Sequence, residues 1–403
     1  MENNIFSLSH EQLKKIAETL QKRVEEGLSL DNQEVQCIPT FIKPKTTNVD
    51  GQAFVLDLGG TNYRVASVDF KDGTPTIRPE NGFKKDLSVM KSAGFTEEQL
   101  YEEQANLIKE IKRDKEMPIG YCFSYPAASL TDGDAELLRW TKGVNIPNMA
   151  GKPIGKPLLK YLNKVTSPQF SSVKVINDTV ASLFAGLTRS DYDAYIGLIV
   201  GTGTNMATFI PAENIIKLEQ SESVAGLLPV NLESGNFKPP FLTHVDNIVD
   251  ALSDKMGTQR FEKAVSGMYI GELLKAVFPS DDFEKDFDAQ KLTTMMSYPD
   301  VYKEEHVQVA RWIYERSAKL VAASLAGLAV VLLSHTPSIK RIRLIAEGSL
   351  FWSEDRKGLN YKAIVAITLR EILDSFNYRS VSVDIDKMDN ANLIGSAIAA
   401  LSE

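Results

Sequence analysis

Two short stretches constrain this chain more than any other feature, because each reads as strand, glycine-rich turn, strand. In the first, Phe54-Val55-Leu56-Asp57-Leu58 is an apolar strand that runs into Gly59-Gly60-Thr61-Asn62 and resumes from Tyr63 to Phe70. In the second, Ile196 to Val200 leads into Gly201-Thr202-Gly203-Thr204-Asn205 and continues from Met206 to Ile210. Short apolar runs joined by Gly and Asn form hairpins. Such a unit occurring twice in one chain predicts an internally duplicated α/β fold. The 403 residues leave room for two or three domains of roughly 150 residues. No linker rich in Pro, Gly or Ser tethers them, so two closely packed lobes are expected.

The remaining pattern fits that frame. Ser9-His10-Glu11-Gln12 is a capping box ahead of Leu13, Ile16, Ala17, Leu20 and Val24 at helical spacing. Thr96 to Arg113 is a second helical segment, and beyond residue 240 helices dominate, with Arg311 to Leu333 the most apolar and Asn392 to Leu401 the last. The run Asp281 to Asp288 reads as a solvated surface stretch. The longest apolar stretch, Leu320 to Leu333, falls short of a membrane span of about 20 residues. With no signal-peptide pattern, the expectation is a cytoplasmic protein. Lys+Arg 45 against Asp+Glu 53 leaves a net charge of −8, which argues against nucleic-acid or anionic-membrane partners. The two cysteines, Cys37 and Cys122, and four histidines form no zinc-binding spacing.

Several residues have the chemistry to act. Paired glycines let a backbone approach a ligand closely, and their N–H groups can cradle phosphate oxygens. Asp57 beside such a turn can hold a hydrated Mg²⁺, and Thr61 adds a hydroxyl. Neither a Walker A sequence nor GxGxxG occurs, so P-loop and Rossmann readings lose their support. Asn177-Asp178 ends the apolar strand Val173 to Ile176 and precedes a helix, Thr179 to Leu187. An Asp there either caps the helix or accepts a proton from a hydroxyl in a cleft. Trp140-Thr141-Lys142-Gly143 places a hydroxyl beside an ammonium. It is, like Ser124-Tyr125-Pro126, uninformative taken alone.

Taken together and in order, these segments resemble the hexokinase family of sugar kinases, within the actin-like ATPase superfamily. The carriers are Leu56 to Val65, Phe123-Ser124-Tyr125-Pro126, Trp140 to Gly143, Asn177-Asp178-Thr179, Gly201 to Asn205, Asn231 to Gly235 and Gln259 to Lys263. The size suits the single-unit, glucokinase-sized form found in bacteria. The resemblance implies a two-lobed fold with an interlobe cleft: a small lobe of residues 40–180 joined by a C-terminal helix at 390–403, and a large lobe of residues 1–39 and 181–389. It implies ATP-dependent phosphorylation of a hexose, glucose first, at the 6-hydroxyl, the first step of glycolysis. Ser124, Thr141, Lys142, Asn177, Asp178, Asn205, Glu233 and Glu262 would then hold the sugar. Asp178 would accept the proton, with Lys142 and Arg64 stabilising charge. Gly59, Gly60, Thr61, Asn62, Gly201, Thr202 and Gly203 would line the ATP phosphates, Asp57 would hold Mg²⁺, and Gly348-Ser349 would meet the nucleoside.

The chain departs from the family pattern in places. Glu347 replaces the usual Asp before Gly348-Ser349, and Asp389-Asn390-Ala391-Asn392 replaces a turn richer in Gly and Lys. Ser234 and Tyr125 stand for the usual Trp and Phe, which bears on the sugar pocket. A non-catalytic sugar sensor would need no proton acceptor, so Asp178 and Lys142 argue against it. A filament or chaperone ATPase would need no sugar set. The bacterial glucokinase group with a Cys-rich zinc motif is not matched by two isolated cysteines. Oligomeric state is not legible.

Overall fold

The computed structural model describes residues 4–44, 49–59, 62–218 and 225–402. Gly60 and Thr61 of the first turn lie outside the described residues.

Two sheets carry the fold, and they share one topology. In the first, strand order is Thr74–Asp86, Asn62–Lys71, Gly51–Leu58, Met117–Phe123, Phe170–Ile176. The first three form an antiparallel meander, and the last two run parallel to Gly51–Leu58. The second sheet repeats this with Leu227–Asn231, Thr204–Pro211, Ala194–Val200, Arg341–Glu347 and Ser382–Asp386, plus the two-residue strand Ile38–Pro39 at one edge. The duplication inferred from two turns is therefore present in the connectivity. Residues Ala53 to Leu58 are all buried, as a strand covered on both faces must be.

A helix pair joins the sheets. The C-terminal helix Ala391–Leu401 lies on the first sheet, and the helix Asp178–Ala185 lies against both it and the second sheet. Three glycines make the stack possible. A Cβ at Gly120 would lie 2.0 Å from the Ser396 carbonyl, one at Gly395 1.8 Å from that of Ala181, and one at Gly197 2.5 Å from that of Thr179. Sheet, helix, helix and sheet thus touch backbone to backbone, and Asp178 rides on the inner layer.

The N-terminal helix His10–Ser29 has its capping box and buries Leu13, Ile16, Ala17, Leu20 and Val24 against the helix Glu304–His335. That second helix is 32 residues long, with a mean hydropathy of 1.9 over its most apolar window. By length and composition it could cross a membrane, contrary to the reading from Leu320 to Leu333 alone. However, 89% of the window is buried inside the protein, which makes it a core helix.

Some expectations are corrected. The helix expected over Thr96 to Arg113 spans Glu97–Lys109, with Thr96 as its cap. Arg113 has left it to stack on Phe170, 3.6 Å from the ring centre. Asp281 to Asp288 is not simply solvated. Phe287 is buried, Phe283 packs on His306, and Asp281 bonds to Lys303 and His306. The helix expected from Thr179 starts at Asp178, and Asn177 is its N-cap. Asn177 and Asp178 share the Thr179 N–H, so capping does not fall to Asp178 alone.

Candidate active site

The strand Gly51–Leu58 delivers Asp57 to the edge of an open cleft. Its carboxylate is only 6% exposed, so it needs a partner. Arg64, directly opposite in the antiparallel ladder, supplies it by donating from Nε at 2.9 Å and Nη2 at 2.5 Å to Oδ2. Arg64 Nη1 also donates to Asn390 Oδ1 at 3.3 Å. Three of the five guanidinium donors are thereby used, and an outer edge remains for a ligand. Gly59, two residues after Asp57, is held by Tyr125, whose hydroxyl donates to the Gly59 carbonyl at 3.0 Å. The residue that departs from the family pattern at 125 thus braces Gly59.

Across the first sheet, Lys142 Nζ donates to the Ser124 carbonyl at 2.6 Å. Asp178 opens its helix, where negative charge is favoured, and its Oδ1 accepts the Thr179 N–H at 2.8 Å. Asp57, Gly59, Asn62, Arg64, Ser124, Lys142 and Asp178 line one cavity of about 600 Å³. Thr141 and Asn177 adjoin that wall without lining it, and the Asn177 amide oxygen is taken by the Thr179 N–H.

The second sheet presents a linked set of amides and carboxylates. Asn205 donates to Asn231 at 2.7 Å, and Asn231 donates to Glu233 Oε1 at 2.7 Å. The Ser234 N–H donates to Asn205 Oδ1 at 3.1 Å, so the backbone of the serine found where the family has Trp orients the Asn205 amide. Glu262 accepts from the Thr204 N–H at 3.1 Å and from Gln259 at 3.2 Å. Burial pushes the carboxyls of both Glu233 and Glu262 up. The charge of Asp178 adds to this at Glu233, while Lys142 opposes it at Glu262. The charges of the two walls thus act on each other, in repulsion between Asp178 and Glu233 and in attraction between Lys142 and Glu262. Lys142, Glu233, Gln259 and Asn390 all have left-handed backbone, with φ of 58°, 53°, 51° and 57°. Strain of this kind persists where surrounding structure imposes it, commonly at functional sites. Asn is among the few side-chain-bearing residues that adopt this conformation readily, as Asn390 does.

The second turn closes through the Gly201 N–H donating to the Gly203 carbonyl at 2.9 Å. Gly348, at φ 107°, would place a Cβ 2.2 Å from the Val200 carbonyl, so only glycine lets these backbones meet. Gly203 differs from its expected role as purely phosphate-lining, because a Cβ there would lie 2.6 Å from Glu262 Oε2. The turn therefore borders the Glu262 carboxylate, and enlarging Gly203 would disturb both. Thr202 is exposed. Gly348 and Ser349 line a second cavity of about 260 Å³ with Trp352, Lys387 and Asp389, and Asn390 lines both cavities.

Glu347 accepts a hydrogen bond from Ser182 beneath this junction. Burial lifts its carboxyl from 4.5 to about 7, with the charges of Asp178 and Asp57 adding to the rise. The folded state therefore holds this proton more tightly than the unfolded chain, and the associated stability is lost as pH rises from about 4.5 through about 7. Glu347→Gln should leave the melting temperature unchanged near pH 4.5 and raise it at pH 8, by an amount equivalent to about 1–3 kcal/mol. A difference that does not vary with pH would contradict this assignment.

Sequence reading missed Asn81, Gly82 and Lys84, which line the larger cavity together with Asn390 and Asn392. The last two were visible only as an altered turn. Asn81 to Lys84 gave no signal.

A duplicated two-sheet fold around a cleft lined by Asp57, Arg64, Lys142 and Asp178 is the architecture of the actin-like ATPase class. Hexokinase family models match residues 2–188 and 195–281. The hexokinase of Kluyveromyces lactis is 30% identical over 96% of this chain and 86% of its own. Hexokinase-1 of Saccharomyces cerevisiae is 31% identical over 68% of this chain and 59% of its own. A hexokinase from Schistosoma mansoni, solved in complex with glucose, superposes with a TM-score of 0.77 at 24% identity over 98% of this chain and 96% of its own, a likeness of fold. The chain belongs to the hexokinase family, and its activity is ATP-dependent phosphorylation of a hexose.

Proposed function

We propose that the hexose is glucose and that Asp178 accepts the proton of its 6-hydroxyl as the oxygen attacks the γ-phosphorus of ATP. The observation that carries this is the position of Asp178. One oxygen is anchored by the Thr179 N–H, and the residue faces the same cavity as Lys142, Gly59 and the Asp57–Arg64 pair. The new bond is O6–P and the broken one joins the γ-phosphorus to the β,γ-bridging oxygen, so ADP leaves with the electron pair. Little covalent work falls to the protein, and positioning and charge neutralisation supply most of the catalysis.

Ser124, Thr141, Lys142, Asn177, Asn205, Glu233 and Glu262 are assigned to the sugar hydroxyls, Gly59, Gly60, Thr61, Asn62, Gly201, Thr202 and Gly203 to the phosphates, and Gly348 and Ser349 to the nucleoside. Carboxylates and amides suit several adjacent hydroxyls and reject a substrate that lacks them. Mg²⁺ fits beside Asp57. This buried carboxylate is pushed up by burial, and the charge of Asp178 raises it further, so a nearby cation would relieve both. Bound with the phosphates, Mg²⁺ would neutralise their charge. Lys142 and the outer edge of Arg64 stabilise charge on the protein side. The lobes are taken as residues 40–180 with 390–403, and 1–39 with 181–389, closing on sugar to exclude water. The free, buried thiols of Cys37 and Cys122 are compatible with a cytoplasmic setting.

Closure has an optical reporter. The Trp140 ring meets Tyr125 edge-on at 4.8 Å, its Nε1 donates to the Ile146 carbonyl, and Lys142 lies two residues on. Glucose alone should change intrinsic fluorescence, and Trp140→Phe should remove most of the change. A signal carried by Trp312 or Trp352 would sink this local assignment. Substrate choice is tested by ADP release across glucose, mannose, fructose and glucosamine, each with ATP and GTP. Glucose with ATP should give the highest kcat/KM. ATP turnover of equal rate without sugar would overturn the reading.

A further inference from the structure

The cleft wall holds a cation that none of the roles above uses. In the first sheet, Asp57 pairs with Arg64, and Arg64 in turn pairs with Lys84 of the edge strand Thr74–Asp86. Residues directly opposite in an antiparallel ladder project from the same face. Asp57, Arg64 and Lys84 therefore form one row, and all three line the 600 Å³ cavity. The row carries one anion and two cations, and the anion is already committed to Arg64 through two hydrogen bonds. Like charges directly opposite each other destabilise a sheet unless an anion lies between them. Lys84 is exposed and has no ion pair or hydrogen bond among the described residues. Asp86, two residues along, is the nearby acid; the Ser88 N–H at 2.6 Å draws its carboxyl down most, and the charge of Lys84 adds a smaller share without a direct bond.

The backbone around Lys84 is shaped as well. The ladder shifts register between Val65 and Ser67, so that Val65 faces Phe83 while Ser67 faces Arg78, and Gly82 in the bulged segment has φ 72°. Bulges of this kind re-aim side chains beside active sites. Asn390 pins the segment by donating to the Glu80 carbonyl and to Asn81 Oδ1. Asn392 lines the same cavity with a buried side-chain oxygen that has no hydrogen-bond partner among the described residues. Flipping the amide would turn that position into a donor.

We propose that Lys84 and the free outer edge of Arg64 form a clamp for the terminal phosphate of the nucleotide. This rests on the ATP-dependent reading of the cleft. A clamp on the γ-phosphate distinguishes triphosphate from diphosphate, so the test compares β,γ-imido-ATP with ADP by calorimetric titration in the presence of Mg²⁺. Lys84→Ala should weaken imido-ATP by about 10- to 100-fold, the range of one charge-assisted hydrogen bond, and ADP by less than about 3-fold. Lys84→Arg should recover most of the loss. Lys85→Ala removes a neighbouring charge that is paired with Glu103 and should stay within about 2-fold of the parent. The kcat/KM for ATP should fall in parallel in Lys84→Ala, while glucose affinity without nucleotide stays unchanged. Equal losses for imido-ATP and ADP, or imido-ATP binding within 2-fold of the parent, would overturn the clamp. A parent protein that binds imido-ATP through Lys84 yet forms no sugar phosphate would instead overturn the hexose reading and leave the clamp standing.

Discussion

Asp178→Asn is expected to lower turnover by at least ~10²-fold while weakening glucose binding only modestly, because general-base catalysis contributes ~10²–10⁴-fold. The amide retains the size and can still bond the 6-hydroxyl, but it cannot take the proton. The Thr179 N–H that anchors Oδ1 can anchor the amide oxygen in the same place. Glu233→Gln and Glu262→Gln should behave differently. Each removes a charge-assisted bond to a remote hydroxyl, so sugar affinity should fall by about 1.5–3 kcal/mol per residue. Some turnover should be lost too, since remote binding positions the reacting group. Steady-state kinetics combined with glucose titration separates the two classes. Near-normal turnover in Asp178→Asn, after checking that Asn has not deamidated back to Asp, would remove Asp178 as the base.

Gly395→Ala should damage stability and catalysis together. The added Cβ would sit 1.8 Å from the Ala181 carbonyl oxygen, and neither helix backbone can yield without moving the other. Overpacking typically costs about 1–3 kcal/mol, and more where backbone must shift. The helix that moves begins at Asp178, so turnover should fall even in protein that remains folded. Thermal melting and kcat measured on the same preparation test this. An unchanged melting temperature would mean the helix pair is looser than the glycine stack implies.

Much of the site was legible because its chemistry is local. The Asp57 and Gly201 turns, Asp178 and Glu262 lie in short segments whose order along the chain carries the family resemblance, although residue type alone left Asp178 open between a cap and a base. The duplication was legible for the same reason, since a strand interrupted by Gly and Asn shows in a few residues. What escaped the sequence depends on register or on exposed backbone. The edge strand Thr74–Asp86 is mostly exposed and lacks the apolar alternation of a half-buried strand, so Lys84 gave no sign of facing the cleft. The link from Asn231 to both Asn205 and Glu233 needs cross-strand pairing between Thr204–Pro211 and Leu227–Asn231. The helix Glu304–His335 begins earlier than its apolar run, because its first turn carries Glu304 and Glu305. The close approach of Gly395 to Ala181 joins residues more than two hundred positions apart, which no local pattern encodes.

The central claim is that this cleft moves the γ-phosphoryl group of ATP onto the 6-hydroxyl of a hexose. Phosphorus and proton NMR of the products formed from glucose and Mg-ATP tests it directly. The expected result is one ADP for each sugar phosphate, with the phosphate coupled to the two protons on carbon 6. Inorganic phosphate released without sugar phosphate, or phosphate coupled to the proton on carbon 1, would contradict it.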